Sequence, residues 1–175
     1  MRRYSMPDIG RAAAASVALL FATVAAGPID QLDRFAGTWQ TQGTFVETPY
    51  STAGSATGTA TCAWSTDHLY MICQQSNVLA GKQDDDVAIY SYDDASQAYK
   101  FYSVRASRST TATITIDKNT VTYPFSFTNN GETVSIRTLN EWTGPDSYTW
   151  RSEFSTDLGK TWTLMASGTS QRTSH

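Results

Sequence analysis

Phe35-Ala36-Gly37-Thr38-Trp39-Gln40-Thr41-Gln42-Gly43-Thr44-Phe45 changes character at every step. Phe35, Gly37, Trp39, Thr41, Gly43 and Phe45 fall on one side, and Ala36, Thr38, Gln40, Gln42 and Thr44 on the other. A period of two is that of a half-buried strand. Nine further runs of strand-type residues follow, at 57–64, 69–78, 86–92, 98–106, 110–117, 119–127, 133–142, 147–155 and 161–171. Several repeat the alternation. Ala112, Ile114 and Ile116 oppose Thr111, Thr113 and Thr115; Val121, Tyr123, Phe125 and Phe127 oppose Thr120, Thr122, Ser126 and Thr128. Tyr148, Trp150 and Phe154 oppose Thr149, Arg151, Glu153 and Ser155, and Trp162, Leu164 and Ala166 oppose Thr161, Thr163 and Ser167. One face is thus aromatic and aliphatic, the other rich in threonine, which tolerates water and keeps strand propensity.

Turn residues separate the runs. Asp93-Asp94-Ala95-Ser96, Asp117-Lys118-Asn119 and Gly144-Pro145-Asp146 are turn-forming clusters, and Asn130-Gly131 is a strong hairpin signal. Two stretches read as loops: the Ser/Thr/Gly/Ala-rich segment 49–59, mobile or a lid, and 79–86. Residues 27–34 read as a lead-in of about one helical turn. No long helical periodicity appears. Strands joined by successive short turns close most simply into an all-β, antiparallel up-and-down barrel of about ten strands, which removes exposed sheet edges. A barrel of this size fills its interior with side chains or holds one small molecule.

Ahead of the barrel, Arg2, Arg3 and Arg11 precede an apolar run from Ala12 to Ala26, and Val24-Ala25-Ala26 resembles a small-residue cleavage site. The run is shorter than the about 20 residues of a membrane span, and the pattern is that of a secretory signal peptide over residues 1–26. A membrane anchor is the alternative. The expectation is an exported protein, periplasmic or secreted, whose mature part is one domain over 27–175 with no membrane segment of its own. That part carries 10 Lys+Arg against 15 Asp+Glu, a net charge of −5. Nucleic-acid binding requires a basic stripe, so this balance argues against it.

Cys62 and Cys73 flank Ser65-Thr66-Asp67-His68. A hairpin centred there places the two cysteines directly opposite each other, within disulfide reach. In an oxidising compartment they read as a cross-strand disulfide; two buried thiols are the alternative.

Gly37-Thr38-Trp39 on the first strand resembles the Gly-x-Trp signature of the calycin superfamily, which includes the lipocalins. That resemblance implies a tryptophan plugging one barrel end beneath an arginine of the last strand, for which Arg172 is the match. Ser155-x-Asp157-x-Gly159-x-Thr161-Trp162 matches the Asp-box pattern. Asp-boxes recur in sialidase propellers, but a propeller needs repeated copies. The single copy here reads as a hairpin staple. Taken together with Leu32, Phe35, Tyr92-Asp93 and Tyr99, these features resemble the secreted family called domain of unknown function 1579. Ser91 and Leu158 stand where that family usually has glycine. The resemblance implies a calycin-like barrel with structural roles for Gly37, Trp39, Asp157, Gly159, Trp162 and Arg172, and no established activity.

Chemistry-bearing constellations are sparse. The sequence has two histidines, His68 in a hairpin tip and His175 at the last position, so a triad or a haem-ligating interior imidazole is not expected. Asp84-Asp85-Asp86 lacks the alternation of a calcium loop. Neither metal nor cofactor is expected. Glu141 and Glu153 lie on adjacent strands, but on the threonine face. Of the mid-strand arginines, Arg105 shares parity with Tyr99 and Phe101, Arg137 is ambiguous, and Arg151 falls on the threonine face.

The expected function is binding of a small apolar or amphipathic molecule inside the barrel. The expected wall is Phe45, Phe101, Tyr123, Phe125 and Trp150, with Arg105 as polar anchor. Two alternatives remain at this level: a metal-free enzyme of isomerase or cyclase type using the same pocket, and a filled barrel acting through protein or glycan contacts.

Overall fold

The computed structural model describes residues 27–175, and the leader expected over 1–26 lies outside them. Pro28–Phe35 forms a 3-10 helix, opened by a proline whose fixed φ suits a first helical position. The Gly27 N–H donates to Asp30 Oδ2 at 2.6 Å. Leu32 and Phe35 are its buried residues. Eleven strands follow: β1 (Gly37–Phe45), β2 (Gly54–Trp64), β3 (Tyr70–Leu79), β4 (Lys82–Gln83), β5 (Asp86–Asp93), β6 (Ala98–Arg105), β7 (Arg108–Asp117), β8 (Thr120–Asn129), β9 (Glu132–Gly144), β10 (Ser147–Ser155) and β11 (Thr163–Ser174).

Every pairing is antiparallel. β1 pairs with β2 and β11, β2 pairs with β3, and β3 through β11 pair in turn, so ten strands close into a barrel with β4 outside the ring. β4 pairs only with the end of β3, in the register that β5 continues below it. The ten-strand antiparallel barrel expected from the alternation is therefore the observed architecture.

Both stretches read as loops contain strand. Gly54 to Thr59 belongs to β2, laddered throughout to β1 and from Ala56 onward to β3. Its small residues have little strand propensity of their own; pairing with two neighbours overrides that. Within 79–86, Ala80 and Gly81 take positive φ values of 48° and 78° between the paired Leu79 and Lys82. This is a two-residue hairpin turn of the kind right-handed strand twist favours. Asn130-Gly131, with φ of 50° and 84°, makes the same turn, as its sequence indicates.

Cys62 faces Cys73 in the β2–β3 ladder, and the two form a disulfide. Both are buried, so this pair fixes which residues of β2 and β3 point inward. Ile114, Val121 and Tyr123 are buried, and Thr113, Thr115 and Pro124 are exposed, as the alternation predicts. The last strand departs from it. A register shift between Ser152 and Glu153 leaves Met165 as an extra residue between Leu164 and Ala166. Met165 and Ala166 are both buried while Leu164 is 41 % exposed, so the expected inward Trp162, Leu164 and Ala166 series does not hold. A bulge shifts side-chain parity by one.

The β7–β8 ladder is short. Only Thr115–Asp117 pair with Thr120–Thr122. Pro124 lies just beyond, laddered only to Arg137 of β9, so its missing N–H costs no bond to β7.

The helical end of the barrel is plugged. Trp39 is 2 % exposed and donates its indole N–H to the Phe35 carbonyl at 2.9 Å. The Arg172 guanidinium lies 4.4 Å from the centre of the Trp39 ring. It also donates to the carbonyls of Ala36, Arg34 and Pro145 and pairs with Asp146 at 3.0 Å. Gly37 has a φ of 98°, and a Cβ there would fall 2.3 Å from the Ser174 carbonyl. Trp142 closes the layer between Phe35, Trp39 and Tyr148.

The Asp-box is a hairpin staple. Asp157 accepts from the Thr161 N–H at 2.9 Å, the Thr161 hydroxyl at 2.7 Å and the Ser155 hydroxyl at 2.7 Å. These bonds hold its carboxyl well below the usual carboxylate range. Gly159 takes a φ of 85° above the Trp162 ring. Trp162 is covered by Arg137, whose guanidinium lies 4.1 Å from its centre and pairs with Glu153 at 2.7 Å.

Candidate functional site

Above the plug, the inward side chains enclose a cavity of about 250 Å³. Its floor is aromatic: Phe35, Tyr90, Tyr123 and Tyr148, with Phe101 and Phe125 on one wall. Phe101 meets Tyr90, Tyr123 and Phe125 at ring-centre distances of 5.2, 5.4 and 6.2 Å, all tilted or edge-on. The Tyr90 and Tyr123 hydroxyls are 3.5 Å apart. Burial pushes both phenols, and that of Tyr148, above the ordinary tyrosine range, so the floor stays neutral.

The other half of the lining is polar: Thr41, Gln75, Asn77, Asp86, Arg105, Thr138 and Asn140. Asp86 is 7 % exposed. Its Oδ2 accepts from the Ser103 hydroxyl at 2.6 Å, while its Oδ1 has no partner among the described residues. Trp150 Nε1 is likewise buried and unpartnered. Each such atom costs about 1–3 kcal/mol, more where the group is charged. Arg105, directly opposite Asp86 in the β5–β6 ladder, is ion-paired with Asp84.

Five residues expected in the wall line this cavity: Phe101, Arg105, Tyr123, Phe125 and Trp150. Phe45 does not. It ends β1 opposite Ala166 and Gly54, away from the plug. The volume also falls below the roughly 300 Å³ common for ligand pockets. A second space of about 350 Å³ shares Phe101, Arg105 and Phe125 with it and adds Arg108 and Thr110 of β7 and Phe127 of β8, where the β7–β8 ladder has ended. The interior therefore has a lateral extension. A larger hollow of about 550 Å³ lies among Gln40, Gln42, Thr57, Thr59 and Gln171 on the polar outer face, and it has no enclosing aromatic wall.

The loop after β1 leans toward the end opposite the plug. Tyr50 packs edge-on against Phe127 and Phe154, with ring centres 5.7 and 4.8 Å apart. Thr48 and Ser51 bridge its base through backbone and hydroxyl bonds.

Trp150 owes its position to two glycines. Gly43 and Gly168 face each other across β1 and β11. A Cβ on Gly168 would fall 2.1 Å from the Gln42 carbonyl and 2.7 Å from Trp150 Cζ2; one on Gly43 would fall 2.6 Å from that carbon. Gly168→Ala is expected to push β1 from β11 and tilt the indole, at a cost of about 1–3 kcal/mol. Thermal unfolding and tryptophan emission check this; unchanged values in both would refute the close approach.

The other candidates fall outside. Glu141 and Glu153 are on the outer surface, paired with Arg151 at 3.7 and 3.3 Å, and Glu153 also with Arg137. His68 stacks on Trp64, and His175 lies beside Asp146. Among the described residues, no group of histidine, cysteine and carboxylate side chains is placed to hold a metal.

Among solved structures, Rv2717c from M. tuberculosis aligns with a TM-score of 0.57 at 12 % identity, covering 83 % of this chain and 98 % of that one. The two share a fold, a closed antiparallel β-barrel. Two further structures align over comparable shares. EF1p2_mFAP2b bound to DFHBI gives a TM-score of 0.41 at 11 % identity, covering 83 % of this chain and 99 % of that one. A protein of unknown function from the DUF3598 family of Nostoc punctiforme PCC 73102 gives 0.27 at 8 %, covering 84 % and 99 %. No family model and no curated protein matches the chain.

Sequence reasoning missed Asp86, Gln75, Asn77, Thr138 and Asn140 as parts of the barrel interior. A signal was present in the cysteines. If Cys62 and Cys73 are bonded, residues 75 and 77 share the face of 73, and the strand paired with β3 brings Asp86 beside Gln75.

Proposed function

We propose that this protein binds a small amphipathic molecule inside the barrel and works outside the cytoplasm. The observation that carries the reading is the two-sided cavity: neutral aromatic rings below, and above them a polar belt that holds Asp86, whose Oδ1 has no partner among the described residues. A carboxylate beside the cavity without a cationic partner is costly in a merely filled barrel, and a guest that supplies a donor offsets that cost while its apolar part leaves water. Phe101, Tyr123, Phe125 and Trp150 form the apolar contact surface. The Cys62–Cys73 disulfide suits an oxidising compartment and supports export.

Native mass spectrometry of protein extracted under mild conditions from its own cells tests the reading. The expected result is an added mass that disappears on unfolding. Bare protein only, together with a crystal structure whose interior is packed solid, would overturn it.

A further inference from the structure

We infer that the guest is a small primary amine with an aromatic or branched hydrocarbon end, its ammonium seated at the Asp86 carboxylate. This rests on the binding reading above and narrows it.

The charges inside the barrel decide the class. Arg105 is the residue a sequence reader would assign to a ligand carboxylate, but its guanidinium is already held by Asp84. Asp86 is the carboxylate among the described lining residues, and its one bond is to the Ser103 hydroxyl. The remaining polar lining groups are amides and hydroxyls: Gln75, Asn77, Asn140, Thr41 and Thr138. With Arg105 paired to Asp84, the lining is left with one carboxylate that has no cationic partner among the described residues and one oxygen that accepts no hydrogen bond. An ammonium supplies both the charge and the N–H donor. A ligand carboxylate would instead meet Asp86 at close range. The faces of Phe101, Tyr123, Phe125 and Trp150 favour a cation further, since aromatic quadrupoles attract positive charge. A space of about 250 Å³ limits the hydrocarbon to about one ring and a short chain.

The test uses three probes of one shape on the disulfide-intact protein: 2-phenylethylamine, ethylbenzene and phenylacetate, each titrated by calorimetry or ligand-observed NMR. The amine is expected to bind at least about 10-fold more tightly than ethylbenzene, with phenylacetate weakest. Asp86→Asn keeps an acceptor for Ser103. It is expected to erase the advantage of the amine while ethylbenzene binding changes by less than about 2-fold. If ethylbenzene or phenylacetate matches the amine on the native protein, or if Asp86→Asn leaves the advantage intact, the amine assignment falls and the binding reading stands. If none of the three binds, both fall. Should the variant not fold, the ranking of probes on the native protein decides alone.

Discussion

Arg172→Ala is expected to lower the stability of the barrel by about 3–5 kcal/mol. The side chain is 7 % exposed and ties together pieces distant in sequence. It donates to carbonyls on either side of the helix–β1 junction, Arg34 and Ala36, and to Pro145 and Asp146 in the β9–β10 turn, while lying flat over Trp39. Truncation strands several carbonyls in a poorly solvated crevice and uncovers the indole, and each stranded acceptor costs on its own. The melting temperature should drop by about 6–20 °C, from about 2–4 °C per kcal/mol for a chain of this length. Arg172→Lys is expected to recover less than half of the loss, because an ammonium lacks the planar fork that reaches three carbonyls and cannot stack as a plane over Trp39. Urea unfolding of the three proteins measures both effects. A loss of less than about 1 kcal/mol for the alanine variant would mean the plug holds without its arginine.

Removing the Cys62–Cys73 disulfide, by reduction or as the double alanine variant, is expected to cost about 3 kcal/mol. A sequence separation of 11 closes a short loop, and the loop-entropy relation gives that size for the constraint lifted from the unfolded chain. The effect should appear as a drop of about 6–12 °C in melting temperature under reductant. The two sulfurs also line the cavity, so the alanine variant enlarges it and should loosen the packing of any guest. An unchanged melting curve in protein shown by mass to be fully reduced would rule out the expected contribution.

How far the sequence reveals this protein depends on which physical signal each part carries. The strands with strict alternation, such as Val121-Thr122-Tyr123-Pro124-Phe125, announce both their conformation and their faces, because burial on one side is written in side-chain polarity. The hairpin at Asn130-Gly131 and the staple at Ser155–Trp162 are legible for a different reason: their backbones need particular residues. Gly54 to Ala56 is illegible because its strand character comes from pairing with the neighbouring strands β1 and β3, not from its own residues. Met165 shows a third limit. A single bulged residue reverses the parity read from Trp162 and Leu164, and bulges leave no mark in composition. The candidate site divides along the same line. Its aromatic wall stands out as apolar positions on alternating strands. Its polar belt hides, because Gln75, Asn77 and Asp86 look like solvent-facing residues until the cysteine pair fixes which way β3 points.

Gly37 lies against Ser174, and the helix that precedes β1 is anchored by the Tyr99 hydroxyl donating to the Pro28 carbonyl. Both extremities of the described chain thus emerge beside the tryptophan–arginine closure. A tether, tag or fusion joined to either extremity would hang from the sealed pole and leave the opposite pole unobstructed. Immobilised by such a handle on a sensor surface, the molecules would all present that free pole to the solution.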